Sequence, residues 1–198
     1  MFALDDHKAI LGQLNGDGRI KVYASFRAER DWLDTCGIPF DQPEEAKRQL
    51  RQLFEDWNEQ LQDYIRCADD VVLPRRIYML PVGLQRESKP GVTLIGDAAH
   101  LMSPFAGEGV NLAMKDAATL ALAVVRHVGG GGSDGGSVDY SATAGLAAAI
   151  QEYEAEMYEY SSESVQASDD NLKLVFAENA AINLKNLFDQ LHQQLAER

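Results

Sequence analysis

The spacing of apolar residues changes along the chain from a two-residue to a helical period. Residues 19–26 alternate, so that one side is apolar and the other polar. Residues 8–14 precede them, and Asn15-Gly16-Asp17-Gly18 lies between, a stretch that tolerates positive φ. The pattern predicts a β-hairpin whose apolar face carries Ile20, Val22, Ala24 and Phe26.

Two helices are predicted after the hairpin. Asp41 is a suitable N-cap for a helix from Pro43 to about Glu55, because a proline and two acidic residues occupy its first turn. Asp56 is predicted to cap a second helix over residues 57–67. Residues 71–80 return to an extended pattern, and Pro74 there suits an edge or a bulge.

Residues 92–128 have the pattern of a strand, a loop and a helix. Val92 to Ile95 is a short apolar run that ends at Gly96-Asp97, as expected of a strand buried on both faces. Residues 109–128 predict a helix with a stripe of mostly small apolar residues, which allows close packing on a flat surface. The stripe consists of Ala113, Ala117, Leu120, Ala121 and Val124.

The C-terminal third predicts an insertion followed by helices. Residues 129–140 are rich in glycine and serine and predict a flexible surface insertion. Over residues 141–198, apolar residues recur three and four positions apart, which predicts helices. The two stripes are Leu146, Ile150, Tyr153, Met157 and Tyr160, and then Leu184, Leu187, Phe188, Leu191 and Leu195.

Composition narrows the class of protein. The chain has 198 residues, 45% of them apolar, which excludes disorder over the whole length. Its net charge of −13 argues against nucleic acid and anionic membrane surfaces as partners. Cys36 and Cys67 form neither a C-x-x-C pair nor a disulfide framework, and the chain shows no signal peptide or membrane-spanning run. We therefore expect a soluble protein of the reducing cytoplasm.

The candidate chemistry lies where the predicted strand passes into the predicted helix. Asp97 presents a carboxylate just after the strand, and Gly107 and Gly109 leave backbone N–H groups accessible at the helix start. Such a place binds a polar or anionic ligand. An isolated Gly-Asp pair is also compatible with simple capping and turn formation, but the whole constellation favours a ligand site.

Residues 92–114 resemble the second FAD motif of the FAD-dependent aromatic-ring hydroxylases, the flavoprotein monooxygenases that include the tetracycline-inactivating enzymes. The resemblance implies that Asp97, after Gly96, accepts a hydrogen bond from a ribityl hydroxyl of FAD. It also implies that the isoalloxazine is lined by Pro104, Gly107, Gly109, Val110 and Asn111. Phe105 is then expected to form a wall on the substrate side, although a core contact would also explain it.

The same resemblance implies a chemistry. NAD(P)H reduces the flavin, and a flavin C4a-hydroperoxide transfers oxygen to an aromatic or polycyclic small molecule. A helix N-terminus near the flavin stabilises negative charge on the reduced ring without a titrating side chain. We therefore assign no catalytic side chain and no metal ligand.

The resemblance also implies an organisation, an α/β protein with an incomplete doubly wound FAD-binding fold. Residues 1–81 resemble part of a substrate-binding domain in the tetracycline-inactivating branch. Residues 82–128 resemble the C-terminal part of the FAD-binding domain, and residues 141–198 would form the C-terminal helices after the insertion at 129–140. The chain thus resembles the C-terminal half of such an enzyme.

The pyrophosphate-binding unit of that family has no counterpart in the sequence. No Gly-x-Gly-x-x-Gly follows a strand near the start of the chain. We expect the isolated chain to bind FAD weakly or not at all, to be inactive, and to expose apolar faces that an N-terminal half or self-association would cover. The alternative is a non-catalytic remnant or interaction module.

Three weaker candidates remain open. His100 could be a metal or acid–base partner of Asp97, or it could pack the loop. The polar hairpin residues Lys21, Tyr23 and Ser25 could face a substrate or only solvent. Arg75-Arg76 could contact an acidic ligand or form a surface ion pair.

Overall fold

The computed structural model describes residues 1–128 and 143–196. This part of the chain contains three strands, seven α-helices and a 3₁₀ turn at Pro104–Ala106. The elements are β1 (Phe2–Asp5), β2 (Lys8–Leu14), β3 (Ile20–Phe26), α1 (Trp32–Thr35), α2 (Pro43–Gln52), α3 (Glu59–Arg66), α4 (Asp97–His100), α5 (Gly109–Val128), α6 (Thr143–Val175) and α7 (Ala180–Ala196). The predicted insertion at 129–140 lies outside the described residues.

The chain divides into two compact units. The first comprises residues 1–76 and 173–198, and the second comprises residues 77–172. The domain boundaries expected from the sequence, at residues 81, 128 and 140, stay predictions. Each unit is described by itself below.

An antiparallel sheet in the order β1-β2-β3 forms one layer of the first unit. The predicted hairpin is confirmed, with Leu14 opposite Ile20 and Ala9 opposite Ser25. The sequence pattern did not predict β1, because four residues are too few to show an alternation. The helices α2 and α3 and the sheet enclose a core in which Ile10, Phe54, Trp57 and Ile65 are buried.

The two predicted helices after the hairpin are confirmed as α2 and α3, but the predicted caps are wrong. The residue before α2 is Gln42 rather than Asp41. The Asn58 side chain caps α3 by accepting a hydrogen bond from the Gln60 N–H, 2.9 Å away. Asp56 instead pairs with the Lys8 ammonium at 2.9 Å, a partner that sequence spacing cannot show.

The chain end returns to the sheet of the first unit. The His7 N–H donates to the Ala177 carbonyl, and the Asn179 N–H donates to the Asp6 carboxylate at 2.6 Å. The last helix predicted from the sequence, with the stripe from Leu184 to Leu195, is confirmed as α7. Its apolar stripe is largely exposed, as the positions of Leu187, Phe188, Leu191 and Leu195 show.

In the second unit, α5 and α6 are confirmed as helices and supply most of the core. The stripe predicted for α6 is buried around Ile150, Tyr153 and Met157. The stripe predicted for α5 is partly wrong, because Ala117 and Ala121 are exposed. The buried residues of α5 are Leu112, Asp116, Thr119 and Ala123. A polar residue therefore lies on the inner face of α5.

The strand predicted at residues 92–95 is wrong. Only an isolated bridge joins Lys89 to Val92, and Val92 and Ile95 are exposed. A strand exists only where a neighbouring strand accepts its hydrogen bonds, and all strands in the described ranges belong to the β1-β2-β3 sheet. Residues 71–80 form no strand for the same reason. The observed architecture mixes helices with a small antiparallel sheet, and the described residues contain no doubly wound parallel sheet.

Two observations concern the cysteines and membranes. Cys36 and Cys67 are both free thiols. No helix within residues 1–128 or 143–196 is long and apolar enough to cross a bilayer.

Candidate functional site

The Gly96–Asp97 turn lies against the first half of α5. Gly96 is buried at a φ of 57°, and its carbonyl accepts hydrogen bonds from the N–H groups of Ala99 and His100 at 2.8 and 3.0 Å. A Cβ at Gly96 would lie 3.2 Å from the Cβ of Ala113. Both the backbone conformation and this close approach require glycine.

Asp97, the first residue of α4, presents its carboxylate to the exterior. The residue is exposed, and its side chain makes no hydrogen bond or ion pair with any other described residue. A carboxylate in this state can accept a hydrogen bond from a ligand hydroxyl. The predicted role of Asp97 remains a prediction, since no ligand is present to test it.

The loop that carries Pro104 and Phe105 is fastened to α6. The Ser103 hydroxyl lies 3.0 Å from the Ser168 carbonyl, and the Ser168 hydroxyl donates to the Ser103 carbonyl at 2.7 Å. The Asn171 amide donates to the Phe105 carbonyl at 3.0 Å. Phe105 itself is half-buried and Pro104 is exposed. Sequence patterns gave no sign of Ser168 or Asn171, because these contacts join distant parts of the chain.

The start of α5 is open. The first helical hydrogen bond runs from the Leu112 N–H to the Glu108 carbonyl at 2.9 Å, which leaves the N–H groups of residues 109–111 without an acceptor in the helix. A Cβ at Gly107 or Gly109 would meet no atom within 4 Å. Val110 is 74% exposed, and the exposed Asn111 donates its side-chain amide to Glu108 at 3.3 Å. Free donors and the positive end of the helix dipole thus face open space.

Behind this surface lies a polar cluster that sequence reasoning missed. We define the Asp116 cluster as Asp116, Gly96, His100 and Tyr160. The Gly96 N–H and His100 Nε2 donate to Oδ2 of Asp116 at 2.6 and 2.8 Å, and the Tyr160 hydroxyl donates to Oδ1 at 2.5 Å. Asp116 is fully buried. The sequence held one sign of this role: Asp116 lies at helical spacing from Leu112, Thr119 and Ala123, on a face of α5 that carries no other charged residue.

Within the cluster, Tyr160 holds its phenolic proton more tightly than a free tyrosine does. Burial raises the pKa of Tyr160, and the hydrogen bond to Asp116 raises it further, because removing the phenolic proton would place two anions together. The Lys115 ammonium lies 3.8 Å from the centre of the Tyr160 ring, where it supplies a positive charge.

His100 packs the loop. It is 5% exposed and bonded to Asp116, and its Nδ1 has no partner within the described residues. The described ranges contain no group of three or more His, Cys, Asp or Glu that could hold a metal ion. His100 therefore acts with Asp116 rather than with Asp97.

The candidates in the first unit are surface features. The Lys21 ammonium lies 5.3 Å from the centre of the exposed Tyr23 ring. Arg76 pairs with Asp34 at 2.5 Å. A substrate-facing role for the hairpin remains a prediction.

Comparison with known proteins gives this geometry a context. Residues 73–153 match a family model described as FAD binding domain. The monooxygenase asqM of Emericella nidulans is 35% identical over 140 residues, and zeaxanthin epoxidase of Nicotiana plumbaginifolia is 34% identical over 100 residues. The crystal structure of a Klebsiella pneumoniae HpxO variant complexed with FAD matches 100% of this chain with a TM-score of 0.66 at 21% identity, a likeness of fold.

The matches cover only part of each relative. The alignment takes in 70% of this chain but 30% of asqM, 15% of the epoxidase and 44% of the HpxO chain. This chain thus spans less than half the length of the proteins it matches. Residues 73–153, which include the Gly96–Asp97 turn and the start of α5, are thus similar to an FAD binding domain, and the relatives that match this chain include a monooxygenase and an epoxidase.

Proposed function

We propose that this chain supplies the flavin and ribityl side of the FAD site in an NAD(P)H-dependent monooxygenase that hydroxylates an aromatic or polycyclic small molecule. One observation carries the proposal. The exposed Asp97 directly follows Gly96, which packs against Ala113 in the first half of α5, and the start of this helix carries free N–H donors. The family match over residues 73–153 supports the choice of FAD as the ligand.

The residues present fit this cofactor. Asp97 would accept a hydrogen bond from a ribityl hydroxyl, and the N–H groups of residues 109–111 would be offered to the ring. The open space beside Gly107 and Gly109 would admit the flat ring against the main chain. Pro104 would border the ring, and Phe105 would form a wall on the substrate side.

When bound, FAD supplies the oxygen-transfer chemistry of the reaction. The residues of this chain bind and orient the reactants. The start of α5 stabilises negative charge that develops on the ring, because its N–H groups and dipole are already aligned. The apolar Phe105 side chain helps to exclude water from the reacting atoms. No titrating side chain is needed at the reacting centre.

A second part of the proposal concerns the pyrophosphate. The sequence contains no Gly-x-Gly-x-x-Gly unit after a strand, so another polypeptide segment would hold this doubly charged group. We define the outer face of α5 as Val110, Met114, Leu122 and Val125, which are 74%, 61%, 60% and 66% exposed. We propose that a pyrophosphate-binding segment covers this face.

The test compares two ligands on the purified chain. Riboflavin contains the ring and ribityl chain, whereas FAD adds the pyrophosphate and adenosine. Flavin fluorescence titration should give weak binding of both, with FAD favoured less than about tenfold because its phosphates gain no partner. Asp97→Asn should weaken both about tenfold or more, since it removes a charged hydrogen-bond acceptor. Glu156→Gln, which removes an exposed charge from α6, should leave both affinities unchanged.

The outcomes separate the possibilities. Much tighter binding of FAD than of riboflavin would mean that the chain holds the pyrophosphate. Unchanged affinity in Asp97→Asn would remove Asp97 from the site. If neither ligand bound, even after an N-terminal half with a Gly-x-Gly-x-x-Gly unit was supplied, the alternative of a non-catalytic interaction module, already favoured by the missing pyrophosphate unit, would replace the proposal. In each case the isolated chain should oxidise no NAD(P)H.

A further inference from the structure

We infer that Asp116 is a positioning residue, which fixes the Gly96–Asp97 turn on α5 and connects it to α6 through Tyr160. The consequence for a flavin ligand rests on the proposed function, whereas the positioning itself does not. No sequence motif pointed to Asp116. The inference comes from the convergence of three donors on one fully buried carboxylate.

The chemistry of the Asp116 cluster requires a carboxylate. A carboxylate has two acceptor oxygens, and the three partners of Asp116 are a main-chain N–H, a ring nitrogen and a hydroxyl. Two of them, the Gly96 N–H and His100 Nε2, share the single oxygen Oδ2 at 2.6 and 2.8 Å. An asparagine has the same shape but only one acceptor oxygen, so its NH₂ group would meet a donor on the other side.

The turn cannot hold its own conformation. The helix α4 has only four residues, and its turn is closed by the two hydrogen bonds to the Gly96 carbonyl and one from the Leu101 N–H to the Asp97 carbonyl at 3.1 Å. One isolated turn is unstable because it restrains many dihedral angles for few hydrogen bonds. Asp116 holds the Gly96 N–H at one end of this turn and His100 at the other. Asp97 lies between these two residues in the chain, so Asp116 fixes the backbone that positions the Asp97 carboxylate.

Amide hydrogen exchange in the full chain tests this positioning without any ligand. In Asp116→Asn, the amides of Gly96, Ala99 and His100 should exchange about ten- to 100-fold faster, as expected when a charged hydrogen-bond acceptor is lost. The amides of Tyr153 and Met157, in the middle of α6, should change by less than about twofold. Glu156→Gln is the matched control for charge and should change neither set.

Tyr160→Phe provides a second, milder variant. It removes the donor to Oδ1 but leaves both contacts of Oδ2, so the turn amides should accelerate by less than they do in Asp116→Asn. If Asp116→Asn does not fold, acceleration confined to the turn in Tyr160→Phe still supports the inference. Equal acceleration throughout the unit, or none at the turn, in the variant that folds would overturn it, because Asp116 would then act on overall stability or not at all.

Riboflavin titration separates this inference from the proposed function. If both hold, Asp116→Asn should weaken riboflavin binding by about the same factor as Asp97→Asn. The double variant should lose little more affinity, because both changes remove the same contact between Asp97 and the ligand. Local acceleration of exchange without riboflavin binding to the wild-type chain would support the positioning role while the flavin assignment fails. Full riboflavin affinity in a variant whose turn exchanges rapidly would overturn the link between Asp116 and the ligand.

Discussion

Replacement of Gly96 by alanine tests whether the turn that presents Asp97 is as tightly constrained as its geometry indicates. Gly96 has a φ of 57° and a ψ of −139°, a region that residues with a side chain rarely enter. A Cβ there would also lie 3.2 Å from the Ala113 Cβ on α5. The substitution therefore combines a backbone penalty with a steric one.

The two penalties can be estimated separately. A non-glycine residue in a sparsely populated backbone region costs about 1–3 kcal/mol. Forcing a methyl group into a tight contact costs about 1 kcal/mol or more, because Ala113 lies on a helix and can move little. We expect Gly96→Ala to lower the free energy of unfolding by about 2–4 kcal/mol, measured by urea unfolding with circular dichroism.

Two other glycines provide matched controls. Gly107 has a φ of 71° but open space around a Cβ, so Gly107→Ala should cost only the backbone part, about 1–2 kcal/mol. Gly109 has neither a positive φ nor a close neighbour, and Gly109→Ala should be neutral or slightly stabilising. If Gly96→Ala unfolds within about 0.5 kcal/mol of Gly109→Ala, the constraint on the turn is refuted.

Two further predictions concern the core and acid stability. Met157 is 1% exposed, so Met157→Ala should lower the free energy of unfolding by about 2–5 kcal/mol. Met114 is 61% exposed, so Met114→Ala should lower it by less than about 0.5 kcal/mol. Equal losses in the two variants would contradict the assigned core. The hydrogen bond from Arg48 lowers the pKa of Glu45 from 4.5 to about 2. The stabilisation from the ionised Glu45 is therefore present above pH 4.5 and lost as the pH falls through about 2. The melting temperatures of the wild type and Glu45→Gln should accordingly converge as the solution is acidified to that range.

The sequence by itself determined the elements whose signals are local. Two-residue alternation and a turn sequence specified the β2-β3 hairpin, and helical spacing specified α2, α3, α5 and α6. The signal for the candidate site was also local, because Gly96-Asp97 and the glycines at the start of α5 lie near one another in sequence. These features depend on interactions over a few residues, which a sequence records directly.

The tertiary structure alone decided which local preferences were satisfied. Residues 92–95 have the apolar character of a strand but form none, because the described chain offers no neighbouring strand to accept their hydrogen bonds. The stripe of small residues on α5 predicted one inner face, and the partners of Asp116 selected another. Burying a carboxylate is favourable only where donors from distant parts of the chain surround it, and Tyr160, on α6, is such a donor. Contacts of this kind depend on the packing of whole elements, and no spacing along the chain encodes them.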